Sequence, residues 1–261
     1  MMQLSFKRYG NGPPLLILHG LLGSGSNWHT LSSRVFADHY EVFTPDLRNH
    51  GRSPHSDVFD YPTLAGDVRD FMQQQGLDRV HLLGHSMGGK VAMHVALLYP
   101  HLLDRLIVVD IAPKPYAPRH LEILDILGAI DPADYDTRQE IDAALARSIP
   151  SLPTRQLLLK NLDYDGTRYR WKMNLPAIIA NYDAINKGLV VEGTFDQPTL
   201  FVRGETSDYV DDADEGLILR SFPNAQVVTI PGAGHWVHAD APQPFAAAVL
   251  AFLSQSRPDQ P

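Results

Sequence analysis

Cysteine is absent from the 261 residues of this chain, which excludes disulfides, zinc–thiolate sites, iron–sulfur clusters and a cysteine nucleophile. Positive charge is scarce: 22 lysines and arginines face 30 aspartates and glutamates, a formal net charge of −8. Nucleic acids and anionic membranes are recognised through a basic face, so neither is an expected partner. No apolar run reaches about 18 residues, so neither a transmembrane helix nor membrane insertion is expected. The opening MMQLSFKRYG has no charged segment followed by an apolar one, so the sequence predicts no secretory signal and a cytoplasmic location. Internal repeats and low-complexity tracts are missing as well.

What remains is an ordinary soluble globule, with 44% hydrophobic and 20% charged residues. The length fits about one large α/β domain. Residues 15–18, 41–45, 80–83, 106–110, 199–203 and 226–230 are short apolar runs, most of them near-continuous. Such runs mark parallel strands covered on both faces. Residues 3–9 alternate and predict an antiparallel edge strand. Helical periodicity separates the runs: residues 61–75 carry Leu64, Val68, Phe71 and Met72 on one stripe, and 88–98 and 244–253 follow the same period. Alternating strands and helices predict a mostly parallel, doubly wound sheet.

The alternation breaks between residues 113 and 193. Helical segments are predicted near 119–130, 137–148, 154–162 and 176–185, with a short strand at 168–172, and Pro113, Pro115, Pro118, Pro132, Pro150 and Pro153 punctuate the stretch. The predicted organisation is a core over 1–112, a helical cap over 113–193, the rest of the core over 194–254 and a flexible tail over 255–261.

Three motifs carry chemistry. Gly84-His85-Ser86-Met87-Gly88 joins an apolar run to a helical pattern. This is the strand–turn–helix setting of a G-x-S-x-G nucleophile elbow. A serine in so tight a turn presents its hydroxyl clear of the sheet, and the flanking glycines let strand and helix approach. The Met87 amide then opens a helix and can face a developing oxyanion. His19-Gly20-Leu21-Leu22-Gly23 follows the run at 15–18 and can supply the Leu21 amide as the second oxyanion donor, with His19 itself a structural hydrogen-bond partner. Gly232-Ala233-Gly234-His235-Trp236 follows the last run, and its small residues allow the imidazole of His235 to lie over the serine. An imidazole of ordinary pKa, about 6.5, suits a general base near neutrality. His238 lies three residues on, but no third ligand at suitable spacing supports a metal site.

HGLLGS, DLRNHGRS, GHSMGGK, VDIAP and GAGHWVHAD, in this order, resemble the α/β-hydrolase superfamily from about Leu15 to Leu253. DLRNHGRS with VVDIAP resembles the YbfF-like esterases in particular. The commoner pattern around Asp46 is D-x-R-G-x-G-x-S; here Asn49-His50 takes the glycine-centred place, and Asp46 is expected to anchor its loop. The resemblance implies the α/β-hydrolase fold, with the helical cap inserted after the sixth strand. It leaves the triad acid open. Superfamily members often place it where Asp208 stands, whereas YbfF-like members place it where Asp110 stands. Asp110 has the stronger local case, because a carboxylate ending an apolar run has a cost that a hydrogen bond to His235 would offset. Asp208 shares its loop with Asp211, Asp212 and Asp214, and solvation accounts for it equally well.

The expected activity is hydrolysis of carboxylic esters or thioesters with small to medium acyl groups, acyl-coenzyme A among them. Ser86, His235 and Asp110 would act as the triad, without metal or organic cofactor. Lactone or carbon–carbon bond hydrolysis on the same triad is the alternative, and a slow-turnover ligand receptor a remoter one. Trp28, Tyr116, Trp171, Tyr209 and Trp236 are candidate pocket residues. Lys90, Lys172 and Arg203 are candidates for an anionic substrate tail, though solvated surface accounts for any one of them more readily. The expected partner is a small-molecule substrate, and the expected state a monomer or small homo-oligomer.

Overall fold

The computed structural model describes residues 1–255. The tail expected over 255–261 therefore lies, but for Gln255, outside the described residues. The chain opens with β1 (Phe6–Tyr9) and β2 (Pro14–Leu18), followed by α1 (His29–Arg34) and β3 (Glu41–Pro45). It continues through α2 (Tyr61–Gln74), β4 (Val80–His85), α3 (Met87–Leu98) and β5 (Leu103–Val109). After a long helical segment come β8 (Thr199–Gly204), α9 (Glu215–Ser221), β9 (Ala225–Ile230), α10 (Val237–Asp240) and α11 (Pro242–Leu253).

The main sheet has seven strands in the order β1-β3-β2-β4-β5-β8-β9. Only β1 runs antiparallel, against β3. The apolar sequences of β2 and β5 have their cause here: helices cover both faces, so nearly every side chain is buried. One core lies toward α2, α3 and the helical segment; the other lies toward α1 and α11. Asp60 caps α2, its side chain accepting the Thr63 amide at 2.9 Å, with a proline in the first turn.

The helical segment between β5 and β8 holds α4 (Leu121–Gly128), α5 (Arg138–Ala146), α6 (Leu152–Leu159), the hairpin β6 (Leu162–Tyr164) and β7 (Tyr169–Trp171), α7 (Leu175–Ala180) and α8 (Tyr182–Asn186). Three details depart from the sequence expectation. The segment follows the fifth strand of the sheet rather than the sixth, because each of the five runs read ahead of residue 113 forms one strand, β1 to β5, and no further strand forms among them. The helix expected over 154–162 stops at Leu159, and Leu162 instead pairs with Trp171 across the hairpin. The helix expected over 176–185 is two, parted at Asn181, whose side-chain amide donates to the Ala177 carbonyl at 2.8 Å and to the Asp57 carbonyl at 2.9 Å. No helix among the described residues is long and apolar enough to cross a membrane.

Register positions the site. Leu18 lies beside Gly84, Gly84 beside Val108, Val108 beside Phe201 and Phe201 beside Val227. Strands β2, β4 and β5 therefore end within one residue of this row, and β8 and β9 run three residues past it. The loops that follow them share the carboxyl edge, where open α/β sheets gather ligands.

Candidate active site

Ser86 sits between β4 and α3 with φ 53° and ψ −119°, a left-handed backbone that a serine adopts only under constraint. Its glycine neighbours explain why the turn closes. A Cβ on Gly84 would stand 2.2 Å from the Gly88 carbonyl oxygen, and one on Gly88 would stand 2.5 Å from that of His19. Strand, helix and the loop after β2 meet there backbone to backbone.

The Ser86 Oγ lies 3.0 Å from His235 Nε2, and His235 Nδ1 lies 2.7 Å from Asp110 Oδ2. A carboxylate can only accept, so Nδ1 carries the proton and Nε2 is left to accept from the serine hydroxyl. Asp110 is fully buried at the end of β5, also with positive φ, 51°. The Gly204 amide donates to its Oδ1 at 3.0 Å, and the Ser207 hydroxyl donates to Oδ2. These donors satisfy a buried charge that would otherwise be costly. Asp208 lies elsewhere: it is exposed, and its ion pair with Arg119 draws its carboxyl below the usual range.

Two contacts fix His235 from outside this chain of bonds. Its ring stacks on Tyr209 with centroids 3.8 Å apart and planes at 16°. His85 donates its Nε2–H to the His235 carbonyl at 2.8 Å. Burial holds His85 well below its ordinary pKa, and therefore neutral.

The loop after β2 is organised by two more neutral histidines. His19 donates from Nδ1 to the Gly20 carbonyl at 2.8 Å and accepts the Leu47 amide on Nε2 at 2.9 Å. His50 donates from Nδ1 to the Arg48 carbonyl at 2.9 Å and accepts the Leu22 amide on Nε2 at 3.2 Å. Burial pulls His19 down to about 4 and His50 to about 3. Leu22 itself has φ 58°, the sharp bend of the loop. Asp46 accepts the Gly25 amide at 2.8 Å and the Arg52 amide at 2.9 Å, a structural anchor. Leu21 borders the cavities at Ser86, and Met87 is the first residue of α3, where helix amides have no intrahelical acceptor.

Two cavities meet at Ser86. The larger, about 450 Å³, is bordered by His235, Trp236, Ile123, Leu157 and Lys160. The smaller, about 30 Å³, is bordered by Tyr61, Lys90, Tyr116, Tyr182, Ile185 and Tyr209. Leu21, Ser86 and His120 border both. Burial draws His120 down to about 4.

Trp236, Tyr116 and Tyr209 thus stand at cavities, whereas Trp28 and Trp171 do not. Trp28 is buried in the core, stacked on His238 at 4.1 Å and near Phe245 at 5.9 Å, because its flat ring fills the space under α10 and α11. Trp171 donates its indole N–H to the Ile130 carbonyl at 3.1 Å and ties the hairpin to the chain after α4. The three candidates for an anionic tail are engaged with the protein. Arg203 pairs with Asp212 at 2.7 Å, and Lys172 donates to the Lys160 carbonyl at 2.8 Å. Lys90 is neither a tail-binding group nor solvated: it is buried, and its ammonium donates to the Lys114 carbonyl at 2.6 Å and to the Lys187 carbonyl. Burial lowers His238 to about 3. No group of three potential metal ligands gathers among the described residues. His85, Ser207, His120, Tyr61 and Tyr182 carry no sequence signal of their own; their places follow from the meeting of distant segments.

Comparison with known proteins agrees with this architecture. The family model described as alpha/beta hydrolase fold matches residues 13–242. The sn-1-specific diacylglycerol lipase of Danio rerio is 38% identical over 255 residues, 95% of this chain and 80% of that protein. The esterase YbfF of Escherichia coli is 36% identical over 245 residues, 94% of each. Among solved structures, a marine microorganism esterase superposes with a TM-score of 0.94 at 42% identity, covering 97% of this chain and 100% of that one.

Proposed function

The chain belongs to the α/β-hydrolase family, and from that premise we propose that this hydrolase cleaves carboxylic esters or thioesters of small to medium acyl groups through Ser86, His235 and Asp110. The Ser86 oxygen attacks the substrate carbonyl while its proton passes to His235 Nε2. The carbonyl oxygen becomes an oxyanion, held by the Leu21 and Met87 amides. Asp110 keeps His235 in the productive tautomer and stabilises the imidazolium. The carbon–oxygen or carbon–sulfur bond then breaks, His235 returns the proton to the leaving group, and Ser86 keeps the acyl group. Water, deprotonated by His235, attacks this acyl-enzyme and releases the acid and the free serine. The steps use side chains, two backbone amides and water, and call for no metal or organic cofactor.

One observation carries the proposal: the unbroken chain of hydrogen bonds from Ser86 Oγ through His235 to a buried, fully satisfied Asp110, opening on a cavity of about 450 Å³. The names of the relatives, esterase and lipase, favour an ester over a lactone or a carbon–carbon bond. A fluorophosphonate probe is expected to label Ser86, and a panel of esters, acyl-coenzyme A thioesters, a diacylglycerol and lactones to show turnover of the first two classes. Failure of the probe to label Ser86 refutes the mechanism. Labelling with turnover of lactones alone moves the substrate class.

A further inference from the structure

Resting on the ester-cleaving assignment, we infer that the acyl half of the substrate is acetyl-sized and that the alcohol or thiol half is the large one. The two cavities that meet at Ser86 differ about fifteenfold in volume, 450 against 30 Å³. The direction in which an ester lies across them follows from proton transfer. His235 borders the large cavity and not the small one. The leaving oxygen or sulfur must take its proton from His235 Nε2, so the alcohol or thiol departs into the large cavity. The carbonyl oxygen points to the amides of Leu21 and Met87. The remaining substituent of the carbonyl carbon is the acyl chain, and it points into the small cavity, whose lining includes Leu21, Ser86 and Met87.

That cavity, about 30 Å³, has room for two or three water-sized groups at most, since about 10–15 Å³ on this measure admits a single water. A methyl group fits; a chain of several methylenes does not. Its walls are also held from behind. Tyr61 donates its hydroxyl to the Ile185 carbonyl at 2.6 Å, and Tyr116 donates to the Tyr209 carbonyl at 2.6 Å while accepting the Ala112 amide at 2.8 Å. Tyr182 accepts the His120 amide at 2.8 Å. Lys90, on the helix that Ser86 opens, ties down both roots of the helical segment through the carbonyls of Lys114 and Lys187. Three of the four phenols on this wall, those of Tyr61, Tyr116 and Tyr182, are bonded to backbone, so an incoming longer chain has to break hydrogen bonds to move them aside. The large cavity has a volume typical of a small-molecule site and accommodates an extended alcohol or thiol.

Two substrate series and one pair of variants test this. With 4-nitrophenol as a constant leaving group, kcat/KM of the wild type is expected to fall about a hundredfold or more from acetate through butyrate to octanoate, at the tenfold or greater cost usual for each misfitting methylene. With acetyl as a constant acyl group, kcat/KM is expected to rise from ethyl to octyl acetate. Ile185→Ala widens the small cavity while keeping the backbone carbonyl that Tyr61 grips, and is expected to raise the butyrate-to-acetate ratio about tenfold. Ile185→Val is expected to shift it less in the same direction, and serves if the alanine variant does not fold. Octanoate cleaved as fast as acetate, octyl acetate cleaved no faster than ethyl acetate, or a ratio unmoved in the folded variants overturns the inference. Fluorophosphonate labelling of Ser86 separates the two claims. A labelled enzyme that prefers long acyl chains sinks only the size assignment, and an unlabelled one sinks the serine mechanism together with it.

Discussion

The residue before Ser86 is bonded to the loop that carries His235: His85 Nε2–H donates to the carbonyl of His235 across 2.8 Å, although 150 positions separate the two in the chain. The turn that exposes Ser86 and the loop that delivers His235 are thereby set against each other. Within Gly-His-Ser-Met-Gly, the side chain next to the serine thus reaches the loop of His235.

Replacing this donor tests the point. His85→Leu is expected to keep the fold and lower kcat about 10- to 100-fold with little change in KM, since small displacements of a base cost rate rather than binding. His85→Gln, which retains an N–H donor, is expected to recover part of the loss. Equal losses in both variants, or a change confined to KM, would show that the bond does not position the base.

The acid is tested by two asparagines. Asp110→Asn leaves shape and packing but removes the charge facing His235 Nδ1, and is expected to lower kcat about 10³- to 10⁴-fold. Asp208→Asn breaks only an exposed pair with Arg119, and is expected to change kcat less than about threefold. Steady-state rates on one good ester decide between them, with Ser86→Ala as the inactive reference. A crippling Asp208→Asn with a mild Asp110→Asn would exchange their roles.

Lys90 gives a stability prediction with a sign. Burial lowers its folded pKa to about 7, against 10.5 in the unfolded chain. Between those values the unfolded chain binds more protons, so the lysine's contribution to stability rises as pH climbs from 7. Lys90→Met leaves the carbonyls of Lys114 and Lys187 without their donor and is expected to cost about 1–3 kcal/mol near neutrality. The gap in Tm between wild type and variant is expected to widen from pH 7 to pH 9. A gap that narrows over that interval contradicts the assignment.

The buried histidines act at the other end of the scale. His19 is held at about 4, and His50 and His238 at about 3, all by burial. The unfolded values lie near 6.5, so below that pH the unfolded chain takes up protons that the folded one refuses. Stability is full above pH 6.5 and is expected to drop on acidification, by up to about 1.4 kcal/mol per pH unit for each residue. Urea melts between pH 7.5 and 5 measure it; a flat midpoint would show that these rings can charge without unfolding.

The strands were legible where both faces of the sheet are covered, because burial on both sides leaves little but Val, Ile, Leu and Phe to read. The short α1, His-Thr-Leu-Ser-Ser-Arg, was not legible, since six mostly polar residues show no stripe. Asp110 stood out as a carboxylate ending an apolar run, and it is the one whose oxygen reaches His235. Trp28 and Trp171 show the opposite case. An aromatic side chain announces size without direction, and these two turn into the packing instead of the cavities. Ser207, His85 and Tyr182 gain their positions only when segments far apart in sequence meet, which no local pattern records.

Strand β5 pairs directly with β8, Leu106 opposite Thr199, although α4 to α8 lie between them in the chain. To the sheet, everything from α4 to α8 is a single excursion that leaves and returns on neighbouring strands. The entropy of closing such an excursion grows only with the logarithm of its length, by about 0.6 kcal/mol for each doubling. Chain entropy alone therefore sets little limit on the length of the excursion; packing is what holds it, since Leu124, Leu127, Ile141 and Ile178 share one core with Leu18 and Val91. Ser86, Asp110 and His235 all stand outside that excursion, in the turns and loops that follow β4, β5 and β9, so the roof and the floor of the site belong to separate stretches of chain.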